Sequence, residues 1–109
     1  FSIRNPTCVG KLHRRKPLAV DELKFLRTLT DRPIKVTLPG PYLLTRAMWV
    51  TAYSTEAYGD KPVMADDIIG LLSEELAELA AESVEFVQFD EPVLTEVVHS
   101  GDDMRRTFM

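Results

Sequence analysis

Hydrophobic positions along this chain change their period several times, and each change marks an element. In "LAVDELKFLRTL", residues 18–29, Val20, Leu23, Leu26 and Leu29 recur at three-residue spacing, which predicts an amphipathic helix. Asp21 and Glu22 suit its first turn, where the helix dipole favours negative charge. "DRP" breaks the pattern, "IKVTL" (residues 34–38) is a β-branched run that predicts a strand, and "PGP" (39–41) halts it. The aromatic segment 42–58 predicts a helix over residues 43–52, and "YGDKP" is a loop. The clearest periodic element is "ADDIIGLLSEELAELAAES", residues 65–83. Asp66 or Asp67 is expected to cap it, with Ile69, Leu72, Leu76, Leu79, Ala80 and Ser83 as its inward stripe. Glu74, Glu75, Glu78 and Glu82 fall on or near the opposite face and read as a solvated surface.

"VEFVQF", residues 84–89, predicts a further strand, and a short extended stretch is expected over residues 8–12. After it, residues 92–108 read as a rim loop running into irregular structure. The resulting order is strand, helix, strand, helix, strand. Such alternation implies parallel strands joined by right-handed helical crossovers, an α/β architecture. Three strands cannot close a barrel, so any barrel would be represented by less than half of its units.

Charge is divided unevenly. Residues 1–46 hold ten Lys/Arg and three acids, whereas residues 47–109 hold three and fourteen. No Gly/Ser/Pro-rich linker separates the halves, so residues 1–109 are read as one compact, partial domain whose halves attract each other. The start at Phe1 rather than a methionine leads us to expect a portion of a longer protein. Cys8 is the only cysteine, which excludes an internal disulfide and a multi-cysteine zinc cluster built by this chain alone. No apolar run approaches the roughly 20 residues of a membrane span, and no signal peptide is visible. A cytoplasmic setting without a membrane partner is the expectation.

Candidate chemistry lies at the strand ends, the functional rim of parallel α/β folds. Side chains alternate along a strand, so Gln88 and Asp90 share one face and Val87, Phe89 and Glu91 the other. Val87 and Phe89 suit packing against helices, which sends Gln88 and Asp90 inward, and by the same parity Lys35 and Thr37. Four polar residues on an interior face suggest a network beneath a pocket, because burial of such groups is costly unless they are paired. The alternative is that Asp90 caps the next turn and Lys35 neutralises a carboxylate. Trp49, with Tyr42, Tyr53 and Tyr58 near it in sequence, could stack a planar ligand or belong to the core. "KLHRRK" is too short, in a net acidic chain, to argue for a nucleic-acid partner, and reads as a solvated edge. His13 and His99 have no partner at metal-ligand spacing, and Cys8 reads as buried packing.

The residues themselves go further than their periods. "VGKLHRRKPLAVDELKFLRTLTDRPIKVTLPGP" followed by "VQFDEPVL" resembles the C-terminal catalytic barrel of cobalamin-independent methionine synthase and its shorter relatives. The likeness runs from about Pro6 to Leu94, and the pairing of the two motifs at this separation is specific. It implies a (β/α)8 TIM barrel of the uroporphyrinogen decarboxylase/methionine synthase type. It also implies transfer of a methyl group from a folate, or in some relatives another donor, to a small-molecule thiol such as homocysteine. By this resemblance Asp90 helps hold the amino group of the thiol substrate, with Gln88 and Glu91 beside it, and Trp49 is the candidate for packing on the pterin. Trp49 stands farther from the "GP" turn than in the folate-dependent synthases, a spacing closer to the shorter relatives. The implied zinc would stabilise the thiolate. The family's ligands are a His-x-Cys pair, a glutamate and a further cysteine after the "DEP" strand, and this chain holds no such pair. The chain alone is therefore expected to be inactive, its barrel completed by residues elsewhere or by another copy. A uroporphyrinogen decarboxylase-like enzyme, with Arg14 and Arg15 facing an acidic porphyrin, is the alternative enzyme. A non-catalytic barrel fragment acting by oligomerising is the third reading.

Overall fold

The computed structural model describes residues 5–92. Six elements follow in order: α1 (Val20–Arg27), β1 (Lys35–Pro39), α2 (Pro41–Met48), α3 (Thr51–Tyr58), α4 (Lys61–Ala81) and β2 (Phe86–Asp90). β1 and β2 pair in parallel, with Val36 opposite Val87, Thr37 opposite Gln88 and Pro39 opposite Asp90. Val36 and Leu38 turn one sheet face into a core with Ala19, Val20, Leu23, Ile34 and Leu79, against which Val84 and Val87 pack. A second core gathers Cys8, Tyr58, Met64, Ile68 and Leu72, with Leu12, Leu44, Met48 and Trp49 against it. Helix α4, 21 residues and so about 30 Å long, contributes to both.

Several expectations are corrected here. Residues 8–12 form no strand, so the described sheet has two strands. Cys8 N–H donates to Met48 O (2.8 Å), Ser54 Oγ donates to Cys8 O (2.7 Å) and Leu12 N–H donates to the Tyr58 hydroxyl (2.7 Å). Helix ends and side chains satisfy this backbone in place of a ladder. The single helix expected over 43–52 is two helices, because Trp49 and Val50 are extended between them. Ser54 Oγ accepts the Val50 N–H (2.9 Å), and the β-branched Val50 suits the extended step.

Helix α4 begins at Lys61, earlier than expected, capped by Asp60, whose carboxylate accepts the Val63 N–H, with a proline in the first turn. Asp67 instead accepts the Tyr58 hydroxyl at 2.5 Å. Burial, and then that hydrogen bond, push the Tyr58 phenol up to about 12. The buried stripe is Met64, Ala65, Ile68, Leu72, Glu75 and Leu79. Ile69, Ala80 and Ser83 are exposed. The expected stripe was phased to keep every glutamate outside, and one glutamate is inside.

That residue, Glu75, has no side-chain exposure. It accepts from Arg14 (Nη2 at 2.8 Å, Nε at 3.2 Å) and from the Leu18 and Ala19 amides, both at 2.8 Å. Those amides lie at the start of α1, which has no capping side chain of its own. Burial alone would raise the Glu75 pKa; the Leu18 amide, Arg14 and the Ala19 amide more than offset it and hold it below the usual carboxylate range. Arg14 also reaches Glu78 at 2.7 Å.

Ion pairs Arg14–Glu75, Arg14–Glu78, Lys24–Glu82 and Arg27–Glu85 each join the basic half of the chain to the acidic half. Glu85 takes both nitrogens of the Arg27 fork (2.8 and 3.0 Å) and the Ile34 N–H (2.9 Å), tying the starts of the two strands together. Arg27, and then the Ile34 amide, hold Glu85 down to about 2. A carboxylate with a lowered folded-state pKa contributes stability above its ordinary value of 4.5, lost as pH falls toward about 2. Arg27→Gln is therefore expected to destabilise the chain near neutral pH, with the difference from wild type shrinking through that window. Urea titrations near pH 7 and near pH 3 measure this, and an equal difference at both would refute it.

Candidate functional site

The face of the sheet turned away from the first core carries Lys35, Thr37 and Pro39 from β1 and Phe86, Gln88 and Asp90 from β2. Alternation puts them there, since Val36, Leu38 and Val87 point into the core. Lys35 Nζ donates to Gln88 Oε1 at 2.9 Å, and Gln88 Nε2 donates to Asp90 Oδ1 at 2.7 Å. An ammonium can only donate and a carboxylate only accepts, so a single orientation of the Gln88 amide serves both. The structure thus brings Lys35, Gln88 and Asp90 into one chain of hydrogen bonds, with Thr37 paired in register beside Gln88.

The network expected on an interior face is open among the described residues. Lys35, Thr37 and Asp90 are exposed and Gln88 is half-buried, because nothing among the described residues covers that side of two strands. Phe89, on the other face, lines a groove of about 300 Å³ with Pro41, Ile69, Leu72, Ser73 and Leu76.

At the strand end, Gly40 N–H donates to Asp90 O at 2.8 Å, carrying the pairing one step past Pro39. Glu91 spends both carboxylate oxygens on α2, accepting the Tyr42 N–H (2.9 Å) and the Leu43 N–H (2.8 Å). Sequence reasoning missed this use of Glu91; the signal available was a "PGP" helix start with no Ser, Thr, Asp or Asn to cap it. Trp49 lies at the other end of α2, half-buried against the second core, its indole N–H donating to Thr51 Oγ1 at 3.2 Å. The tyrosines do not form one rim cluster. Tyr42 and Tyr58 are buried, and Tyr53 is exposed on α3.

Arg14 is turned onto Glu75 and Glu78 and does not form an open basic edge, though Arg15 is exposed. Cys8 is buried. No group of three or more His, Cys, Asp or Glu among the described residues could hold a metal ion. His99 and the segment 93–108 lie outside the described residues. No described helix is long and apolar enough to cross a membrane.

The family model described as "Cobalamin-independent synthase, Catalytic domain" matches residues 2–108. The chain belongs to this family. Its fold is α/β, part of the family's (β/α)8 barrel. A 5-methyltetrahydropteroyltriglutamate–homocysteine methyltransferase of Buchnera aphidicola is 32% identical over 94 residues, covering 86% of this chain and 12% of that enzyme. A methionine synthase of Thermococcus kodakarensis is 38% identical over 87 residues, covering 79% of this chain and 24% of the relative. The solved structure of a B12-independent methionine synthase from Shewanella sp. W3-18-1, in complex with selenomethionine, superposes with a TM-score of 0.69 at 34% identity. That match covers 93% of this chain and 29% of the Shewanella chain. The chain thus spans between 12% and 29% of the length of these relatives.

Proposed function

We propose that this chain is the acceptor-binding portion of a zinc-dependent methyltransferase that moves a methyl group from a folate or related donor to an amino-thiol such as homocysteine. The observation that carries the reading is Asp90, an exposed carboxylate at the rim of a family barrel strand, with one oxygen held by Gln88. A carboxylate suits an ammonium by charge and by hydrogen bonding, so Asp90 binds and orients the amine end of the acceptor. Gln88, fixed by Lys35, sets the rotamer of that carboxylate. Trp49, at the far end of α2, is the candidate surface for the donor's pterin ring. The described residues do not supply a zinc donor set, so its ligands come from elsewhere in the barrel and none of these residues acts on the metal. The decarboxylase reading keeps only Arg15 of its two arginines, since Arg14 is engaged by Glu75 and Glu78.

The test uses the protein translated from the complete reading frame that contains this sequence. It should transfer a methyl group to homocysteine, and Asp90→Asn should weaken binding of the amino-thiol by about 1.5–3 kcal/mol, the range for a hydrogen bond to a charged group. Calorimetric titration measures it. Unchanged affinity would make Asp90 a structural residue or the acceptor a thiol without an amine.

A further inference from the structure

Residues 90 and 91 clasp the start of α2 with three hydrogen bonds. Asp90 takes the Gly40 amide through its main-chain oxygen, and Glu91 takes the Tyr42 and Leu43 amides through its side chain. These two are among the first amides of a helix that has no partner within its own turn, and α2 has no capping side chain of its own. A carboxylate fits them twice over, because it offers only acceptors and carries the charge that a helix N-terminus favours. Gly40 is part of the same fit. It is buried, and a Cβ at that position would overlap Cγ, Cδ and Oε1 of Glu91.

We infer that Glu91 is a positioning residue that aims helix α2, and with it Trp49, relative to Asp90. The inference rests on the reading above, in which Asp90 holds the acceptor's amine and Trp49 packs on the donor. Asp90 and Glu91 are consecutive, so the group that touches the acceptor and the group that anchors the helix share one rigid strand end. α2 is eight residues long, about 12 Å, and Trp49 is its C-cap. A small tilt at the anchored end therefore moves Trp49 at the other. Methyl transfer needs donor carbon and acceptor sulfur in line and in contact, so an error in this spacing slows the reaction without removing any group that touches a substrate.

The experiment is steady-state kinetics on the protein from the complete reading frame, varying each substrate in turn at a temperature where every variant is folded. Glu91→Ala is expected to lower kcat/KM for both acceptor and donor, by about 10- to 100-fold. Asp90→Asn acts on the acceptor and Trp49→Leu on the donor. Gly40→Ala displaces the same carboxylate without deleting it, so it should reproduce the Glu91→Ala pattern and serves in its place if that variant does not fold. The double variant should be no worse than Glu91→Ala alone, because the added methyl then has no side chain to displace. Glu91→Gln should recover only part of the loss, since its amide presents a donor to one of two donors. An effect of Glu91→Ala on the acceptor alone would make Glu91 a substrate ligand and overturn the inference. So would wild-type kinetics, or losses at positions 40 and 91 that simply add. If Asp90→Asn and Trp49→Leu leave their substrates' constants unchanged, the functional reading itself fails, whatever Glu91 does, and the inference falls with it.

Discussion

Glu75→Ala is expected to destabilise the chain by about 3–5 kcal/mol, the cost of breaking a buried charge pair from one side. Glu75 has no side-chain exposure and Arg14 only 10%. Deleting the carboxylate leaves that guanidinium with Glu78 as its remaining partner and the Leu18 and Ala19 amides unsatisfied at the start of α1. Three losses therefore fall on one substitution, and none can be made good by water without opening the contact between α1 and α4. Glu75→Gln should cost less, because its carbonyl oxygen can still accept from one of the two amides, which bond to different oxygens of the carboxylate. Urea denaturation of the full chain, followed by circular dichroism, measures both. A cost below about 1 kcal/mol for Glu75→Ala would mean that the site opens to water and is not the buried junction described here.

The second large effect belongs to Leu79. It is fully buried in the core that joins α1, α4 and the two strands, and its main-chain oxygen accepts the Val84 amide at the turn into β2. Leu79→Ala should cost about 2–5 kcal/mol, combining lost transfer energy with a cavity that two strands and two helices cannot readily close. Leu79→Met keeps nearly the same volume and should cost less than about 1.5 kcal/mol. Equal, small losses in the two variants would contradict a packed core at that position. Glu75 lies one helical turn earlier on α4, so the two sites are close enough to couple, and a double variant is not expected to be additive.

The two glutamates Glu75 and Glu91 share a design. Helices α1 and α2 begin without capping side chains of their own, and a carboxylate from a distant element meets the amides at each start. At α1 the result is stability. At α2 it places a helix beside the residue proposed to bind substrate.

How much of this was legible beforehand follows from how far apart the partners are. Alternation within five-residue strands is local, and it sufficed to place Lys35, Thr37, Gln88 and Asp90 on one face and Val36, Leu38 and Val87 on the other. The existence of α1 and α4, the β1 and β2 runs, and the family likeness in "DRPIKVTLPGP" and "VQFDEP" also needed only the residues in order. Tertiary structure alone decided that Glu75 is inside, that Arg14 is not a surface charge, that α4 is rotated from its expected phase and that Glu91 faces a helix. Those outcomes depend on amides and cations 48 to 61 positions away from Glu75 and Glu91 in the chain. A carboxylate carries the same letter whether it meets water or two unsatisfied amides. Only the packing of α1 and α2 against α4 and β2 brings those amides within reach and turns a costly burial into a satisfied one.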